Sequence, residues 1–258
     1  MEIVINHQNV TLEKEGKMAW VTFTRERYLN AVDNETCGQF YQVMLALGED
    51  PDVRVVIIRG RGRAFSSGLD LKEFSAGKIG MDYYQRWEEI ILTIEKMDKI
   101  VILGAHGYCL GGALQLALAA DIRVTDPACL WGLPAIKESI IPGMGPWRLP
   151  GFVGMGWARR LTLGGENIDG EKALAIGLAD HVVPTTDFSS HLNDIGAQYL
   201  KTCSTGTRMG KRFMNQSRGM GFEEAFKCYF ELQKRCHNSL DAQEARTAYM
   251  EKRAPVWQ

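Results

Sequence analysis

Apolar and polar positions alternate in two rhythms along the first two-thirds of the chain. Residues 9–13 and 18–24 (MAWVTFT) carry the two-residue period of strands and meet across Gly16, which predicts a hairpin. Residues 53–59 (VRVVIIR) and 100–105 (IVILGA) are short, nearly continuous apolar runs, the pattern of strands covered on both faces. Between them Tyr84, Trp87, Ile91 and Ile94 recur at helical spacing, which predicts a helix over 81–97. A second helix is expected from Gly112 to just before Asp121, followed by short strands near 122–124 and 129–131. From about Pro146 the pattern turns helical. Asp169 is a predicted N-cap for GEKALAI with Gly177 as its stop, and 206–218, 221–238 and 241–252 read as closing helices. Strand–helix alternation followed by a helical tail predicts an α/β fold with right-handed crossovers. The expected division is a core over residues 1–200 and a helical region over 201–258.

Composition narrows the class. With 258 residues, 45% hydrophobic and 24% charged, the chain can bury a sizeable globular core. No run approaches the roughly 18 apolar residues of a membrane span, and the start Met1-Glu2-Ile3-Val4 lacks the basic and apolar regions of a secretory signal. A cytoplasmic protein without a membrane partner is expected. Net charge is −1 and the basic residues are spread out, which argues against nucleic acid as a partner. Six cysteines (Cys37, Cys109, Cys129, Cys203, Cys228, Cys236) form no C-x-x-C pair and have no histidine at zinc-like spacing. Free thiols and no metal are expected, with Cys109 a small buried filler.

Two segments look chemical. Ala64 to Lys72 (AFSSGLDLK) follows the strand at 53–59, and His106 to Gln115 (HGYCLGGALQ) follows the strand at 100–105 and opens a helix. In each, glycine permits a sharp turn and a close ligand approach. A strand running into a Gly-Gly helix start aims free N–H groups and the positive end of the helix dipole at one point, which suits a carbonyl oxygen becoming an enolate. Neither phosphate-loop pattern occurs at these turns, and Ser66 and Ser67 do not sit in G-x-S-x-G. Either turn alone would be read as a packing device, and that reading weakens when both occur in order.

AFSSGLDL followed some forty residues later by GYCLGGALQLALAADIRV resembles the paired signature of the crotonase (enoyl-CoA hydratase/isomerase) superfamily. The likeness extends to Arg25–Val32 (RERYLNAV), similar to the family's N-R-P-x-x-x-N-A-L segment with Glu26 in place of proline, to 133–145, to 160–184 and to the closing EKRAPVW. The resemblance implies a spiral of ββα turns with a C-terminal helical trimerisation region, in a trimer or a dimer of trimers. It implies an acyl-CoA substrate, coenzyme A entering as part of that substrate, and no other cofactor. Carried onto this chain, the oxyanion donors are the backbone N–H groups of Leu69 and Gly112. Ser67 falls near the adenine, Arg27 and Lys72 are candidates for the CoA phosphates, and Tyr249 and Lys252 for CoA contacts from a neighbouring subunit.

The chain departs from the hydratase pattern at both catalytic carboxylates. The first, one helical turn beyond the oxyanion glycine, is here Gln115, which can hold a water but cannot exchange a proton as a carboxylic acid does. The second, after the loop proline, is Ala135. Glu138, three residues beyond Ala135, and Glu88 and Glu89, on the helix over the expected acyl pocket, are candidates to stand in; Tyr83, Tyr84, Trp87 and Trp131 are candidates to line that pocket, and His106 reads as structural. Decarboxylation, β-keto carbon–carbon cleavage or hydrolysis, and isomerisation are therefore at least as well supported as hydration. The alternative is a non-catalytic acyl-CoA-binding or RNA-binding relative of the same family.

Overall fold

The computed structural model describes residues 2–257. Strands β1 (Glu2–Asn6), β2 (Val10–Glu15) and β3 (Met18–Phe23) form an antiparallel ribbon, with Gly16 at φ 57° in the β2–β3 turn. From β3 onward the sheet is parallel. Helix α1 (Asn34–Glu49) leads to β4 (Val55–Gly60); α2 (Leu71–Ser75) and α3 (Met81–Lys96) lead to β5 (Ile100–Ala105). Next come β6 (Tyr108–Leu110), α4 (Gly112–Ala119), β7 (Ile122–Thr125) and β8 (Leu130–Gly132). A 3₁₀ turn over Pro134–Glu138 precedes α5 (Gly145–Arg148), α6 (Pro150–Leu163), β9 (Asn167–Ile168), α7 (Gly170–Ala175) and β10 (His181–Val182). Four helices finish the described chain: α8 (Phe188–Leu200), α9 (Ser204–Gln216), α10 (Phe222–His237) and α11 (Leu240–Glu251). One sheet has the order β1-β2-β3-β4-β5-β7-β10, and a second, β6-β8-β9, is built from the short strands that follow β5, β7 and α6.

Alternation along the parallel strands explains why their sequences are apolar throughout. Val21, Ile58 and Leu103 pair across β3, β4 and β5 and face the large core under α1, α3 and α4. Trp20, Ile57 and Ile102 pair one residue earlier and face a smaller core closed by Leu192 and Ile195 of α8. Two-sided burial erases the polar half of the strand period. The hairpin, the apolar strands, α3, α4 and α7 stand where the sequence places them. Asp169 accepts from the Lys172 N–H at 2.7 Å as the α7 cap.

Three features differ from the sequence expectations. Helix α1 was not anticipated, although Asp33 caps it by accepting from the Thr36 N–H at 2.7 Å, and Thr36, Cys37, Phe40, Val43, Met44 and Leu47 bury its inner stripe. Chain beyond Pro146 is not purely helical. β9 and β10 have two residues each, too few to show a period, and are defined by pairing to β8 and β7. Trp131 lies in the core, fully buried with its Nε1–H donated to Thr125 Oγ1 at 2.9 Å, and does not line the acyl pocket.

The C-terminal helices are fastened to the core through α9. The Lys211 ammonium is buried and donates to Ile94 O, Lys99 O and Asp121 Oδ2, the last at 2.7 Å, while Asp121 also accepts from the Val101 N–H. Burial pushes the Asp121 carboxyl up, more than Lys211 pulls it down. Arg212 pairs with Asp98 beside it. On α10, Phe222, Phe226 and Phe230 form an exposed stacked row. No described helix is long and apolar enough to cross a membrane.

Lys211→Met removes three donated hydrogen bonds and leaves Asp121 without its cation. Breaking a buried pair from one side costs about 3–5 kcal/mol. The urea midpoint of the variant should fall accordingly at fixed protein concentration; an unchanged midpoint would show that α9 is held by its apolar contacts alone.

Candidate active site

The first glycine turn is fixed by backbone pairing on both sides. Ser66 bridges to Cys109: its N–H donates to Tyr108 O at 3.0 Å and its carbonyl accepts from the Leu110 N–H. Its hydroxyl donates to Asn30 O and accepts from the Gly68 N–H. Asn30, buried, donates through Nδ2 to Arg61 O and Ala64 O. Two residues on, Leu69 bridges in parallel to Val32. The Val32 N–H donates to Gly68 O at 2.7 Å and the Asp70 N–H to Val32 O at 3.0 Å. Val32 thus binds the neighbours of Leu69, and the Leu69 N–H points the other way, with no partner among the described residues. Asp70 then caps α2 and is gripped by Arg25, which also pairs with Asp33. Burial alone would push the Asp70 carboxyl up, yet the hydrogen bonds from Arg25 and from the Glu73 and Lys72 N–H groups hold it below the ordinary carboxylate value.

The second turn supplies a matching donor. Gly111, at φ 56°, gives its N–H to Gly132 O, and Gly112 is the first residue of α4, so its N–H has no intrahelical acceptor. Gly68, at φ 86°, locks the two turns together: a Cβ there would strike Leu110 O and stand 3.2 Å from the Gly112 nitrogen. Both predicted oxyanion donors, Leu69 and Gly112, line one pocket.

The walls of this pocket come from three elements. Tyr83, Tyr84, Trp87 and Glu88 face it from α3, Gln115 from α4, and Pro134, Ala135 and Glu138 from the 3₁₀ turn. Tyr83 donates to Val32 O and its hydroxyl is pushed well up by burial, so it is no proton carrier. The Trp87 ring packs at 3.4 Å from where a Gly112 Cβ would stand, and its Nε1–H is buried without an acceptor. Residues 113–119 of α4 are all buried, which leaves the Gln115 amide only 6% exposed; its Oε1 has no hydrogen-bond partner. Glu88 is held from behind. Oε1 accepts from the Met144 N–H at 2.7 Å and Oε2 from Arg148 Nη1 at 3.0 Å, while Arg148, its side chain 5% exposed, also donates from Nε and Nη2 to Glu95. Glu89 accepts from Gln85 and does not line the pocket.

Other sequence candidates fall in different places. Ser67 lines the pocket. Lys72 is exposed on α2, and Arg27 is exposed at a separate hollow bordered by Tyr28 and Glu35. Tyr249 (84% exposed) and Lys252 lie at the end of α11, outside this pocket in the single chain. Cys109 is fully buried, with its thiol pushed well above the ordinary value, and His106 holds Gly62 O through Nε2 at 2.9 Å. Sequence reasoning missed Arg25, two residues before the candidate Arg27, and the Arg148–Glu95 pair behind Glu88. Arg148 carries no signal of what it will clamp, and the RERYLNAV segment that contains Arg25 does not name its partners.

The chain is similar to known proteins over nearly its whole length. A family model described as enoyl-CoA hydratase/isomerase matches residues 13–258. Short-chain-enoyl-CoA hydratase of Clostridium acetobutylicum is 30% identical over 249 residues, 95% of each chain. Carnitinyl-CoA dehydratase of Escherichia coli K12 is 30% identical over 258 residues, covering 97% of this chain and 98% of its own. The crystal structure of an enoyl-CoA hydratase from Bacillus anthracis matches with a TM-score of 0.91 at 25% identity, covering 97% of this chain and 99% of that one. With the ββα spiral, the paired glycine turns and a match over nearly its whole length, this chain belongs to the enoyl-CoA hydratase/isomerase family of the crotonase superfamily, whose enzymes act on CoA thioesters.

Proposed function

We propose that this protein forms a thioester enolate on an acyl-CoA, with the carbonyl oxygen held by the Leu69 and Gly112 N–H groups. The observation that carries this reading is the pair of unpartnered backbone donors brought to one pocket by turns that interlock at Gly68. Charge that develops on the thioester oxygen meets donors already in place, and one such donor is worth roughly 2.7–4 kcal/mol of barrier. The relatives named above are a hydratase and a dehydratase, which supports an enoyl or substituted acyl thioester as the substrate.

Two-carboxylate hydration does not suit this wall. Gln115 cannot give or take a proton at neutral pH, and Ala135 presents a methyl group to the pocket. Double-bond migration needs one carrier that lifts a proton from one carbon and returns it to another. Loss of carbon dioxide generates the same enolate with no proton abstraction, and cleavage next to a β-keto group generates it after water has added to the ketone and given up a proton. We place migration first, because carboxylates other than the usual two do line the pocket. For the cofactor portion, Lys72 is assigned to a CoA phosphate and Ser67 to the adenine side, with Arg27, Tyr249 and Lys252 as further CoA contacts in an assembly of several copies.

Three outcomes follow. A panel of enoyl-, β-ketoacyl- and malonyl-type CoA thioesters incubated in D₂O and read by mass spectrometry should show α-deuteration or rearrangement, with crotonyl-CoA hydration below the 1–10³ per second or so usual for enzymes. Hydration in that range would refute the single-carrier reading, and binding without exchange would favour a non-catalytic acyl-CoA-binding protein. Gly112→Pro deletes one donor where proline's φ suits the first helical position, although it restricts Gly111. If melting temperature and free-CoA affinity stay near the parent's, turnover should drop by roughly 10²–10³; unchanged turnover would make Gly112 a packing glycine. Lys72→Ala should weaken CoA binding more at low salt than at high, because screening is then weakest. Equal affinity at low ionic strength would remove Lys72 from the site.

A further inference from the structure

We propose that Glu88 is the acid–base residue of this pocket, working against Gln115 as a neutral partner; the assignment rests on the enolate reading above. Two oxygens converge at one point of the wall. A methyl group built on Gly143 would collide with both Glu88 Oε1 and Gln115 Oε1, so the two atoms border the same small space. Gln115 lies one helical turn beyond Gly112, which puts that space beside the carbons next to a thioester whose oxygen rests on the Gly112 N–H. Trp87, the residue before Glu88, packs directly on Gly112, so α3 is seated against the donor.

The surroundings of Glu88 suit proton transfer. Its Oε1 accepts a single hydrogen bond, from the Met144 N–H, and keeps the capacity to accept a proton. Its Oε2 is pinned by Arg148, whose guanidinium is shared with Glu95, so two carboxylates divide one cation. The side chain lines the pocket and is 26% exposed, open enough to meet substrate. Gln115 Oε1, buried and without a donor, fits as the second half of the device. A carboxylate in that place would repel the Glu88 anion. An amide oxygen does not, and it can accept from the O–H that Glu88 gains.

The step balances within these groups. The α C–H bond breaks, its proton passes to Glu88, and its electron pair moves into the thioester carbonyl, whose oxygen is held by Leu69 and Gly112. Return of the proton to the α carbon restores the thioester, and return to the γ carbon of an enoyl chain moves the double bond. Two other roles compete. Glu88 could merely brace the 142–148 segment through Arg148 and Met144, or Glu138, which also lines the pocket, could be the proton carrier.

Butyryl-CoA incubated in D₂O separates them, with deuterium at the α carbon read by mass spectrometry. The parent protein should exchange. Glu88→Gln keeps the shape and the acceptor for Met144 and should lose roughly 10²–10⁴ of the exchange rate while binding butyryl-CoA about as well. Glu95→Gln loosens the same Arg148 without touching the pocket and should retain most of the exchange. Glu88→Asp, which keeps the charge beside Arg148, covers the case of a poorly folded Gln variant and should exchange at an intermediate rate. Equal losses in Glu88→Gln and Glu95→Gln would reduce Glu88 to a brace and overturn the proposal. Full exchange in folded Glu88→Gln would overturn it and leave the enolate reading standing, and a loss confined to Glu138→Gln would move the role to Glu138. A parent that binds butyryl-CoA but does not exchange overturns the enolate reading and the Glu88 assignment together.

Discussion

The close approach of two backbone turns at Gly68 is the constraint on which the site depends. With Leu110 O and the Gly112 nitrogen standing where a side chain would begin, only a residue without Cβ can occupy the position, and its φ of 86° excludes most alternatives for the same reason. That contact makes the two unpartnered N–H groups neighbours. It is supported on one side by the Ser66–Cys109 and Val32–Leu69 bridges and on the other by the Gly111 bond to Gly132. Each bridge ties a turn to a different strand or loop, so the donors are positioned by the sheet system as a whole and need not reorganise when charge appears.

A second constraint is the apolar character of α4. A helix buried from residue 113 to 119 can carry one polar group only where a cavity or a partner accepts it. Gln115 has the cavity and lacks the partner. The Glu88–Arg148–Glu95 cluster supplies charge beside it without placing an unpaired ion in the core, since Arg148 is matched by both carboxylates. Burial disfavours the Arg148 cation, but its hydrogen bonds to Glu95 and Glu88 outweigh this and raise its affinity for the proton. The pocket therefore sets the unpartnered N–H groups of the two glycine turns and a charged cluster from α3 and α5 around one space, the arrangement on which the proposed proton transfer rests.

Much of this was legible in the sequence for local reasons. The strands at 55–60 and 100–105, the helix over 81–96, the cap at Asp169 and both glycine turns rest on period, capping chemistry and glycine spacing, all short-range properties. So did the family, because AFSSGLDL and GYCLGGALQ occur in order, and so did the loss of the usual carboxylates at Gln115 and Ala135. Helix α1 went unread even though Asp33 and its buried stripe were there to find.

What only the tertiary structure decided is which side chains meet. Trp131 and Tyr83 are both aromatic and were both pocket candidates, yet one is wholly in the core and the other lines the cavity with its hydroxyl tied to Val32. Glu88 and Glu89 are adjacent and chemically alike, and the 100° turn per residue of α3 sends only the first toward Gln115. Arg148 stands out in no motif and Arg25 opens one that does not name its partners; they matter because chain segments 45 and 60 residues away are brought within hydrogen-bond reach of them. The sequence by itself determined the elements and the family through interactions between near neighbours. The proposed role of Glu88 rests on contacts between remote segments, and those exist only once the sheets and helices have packed.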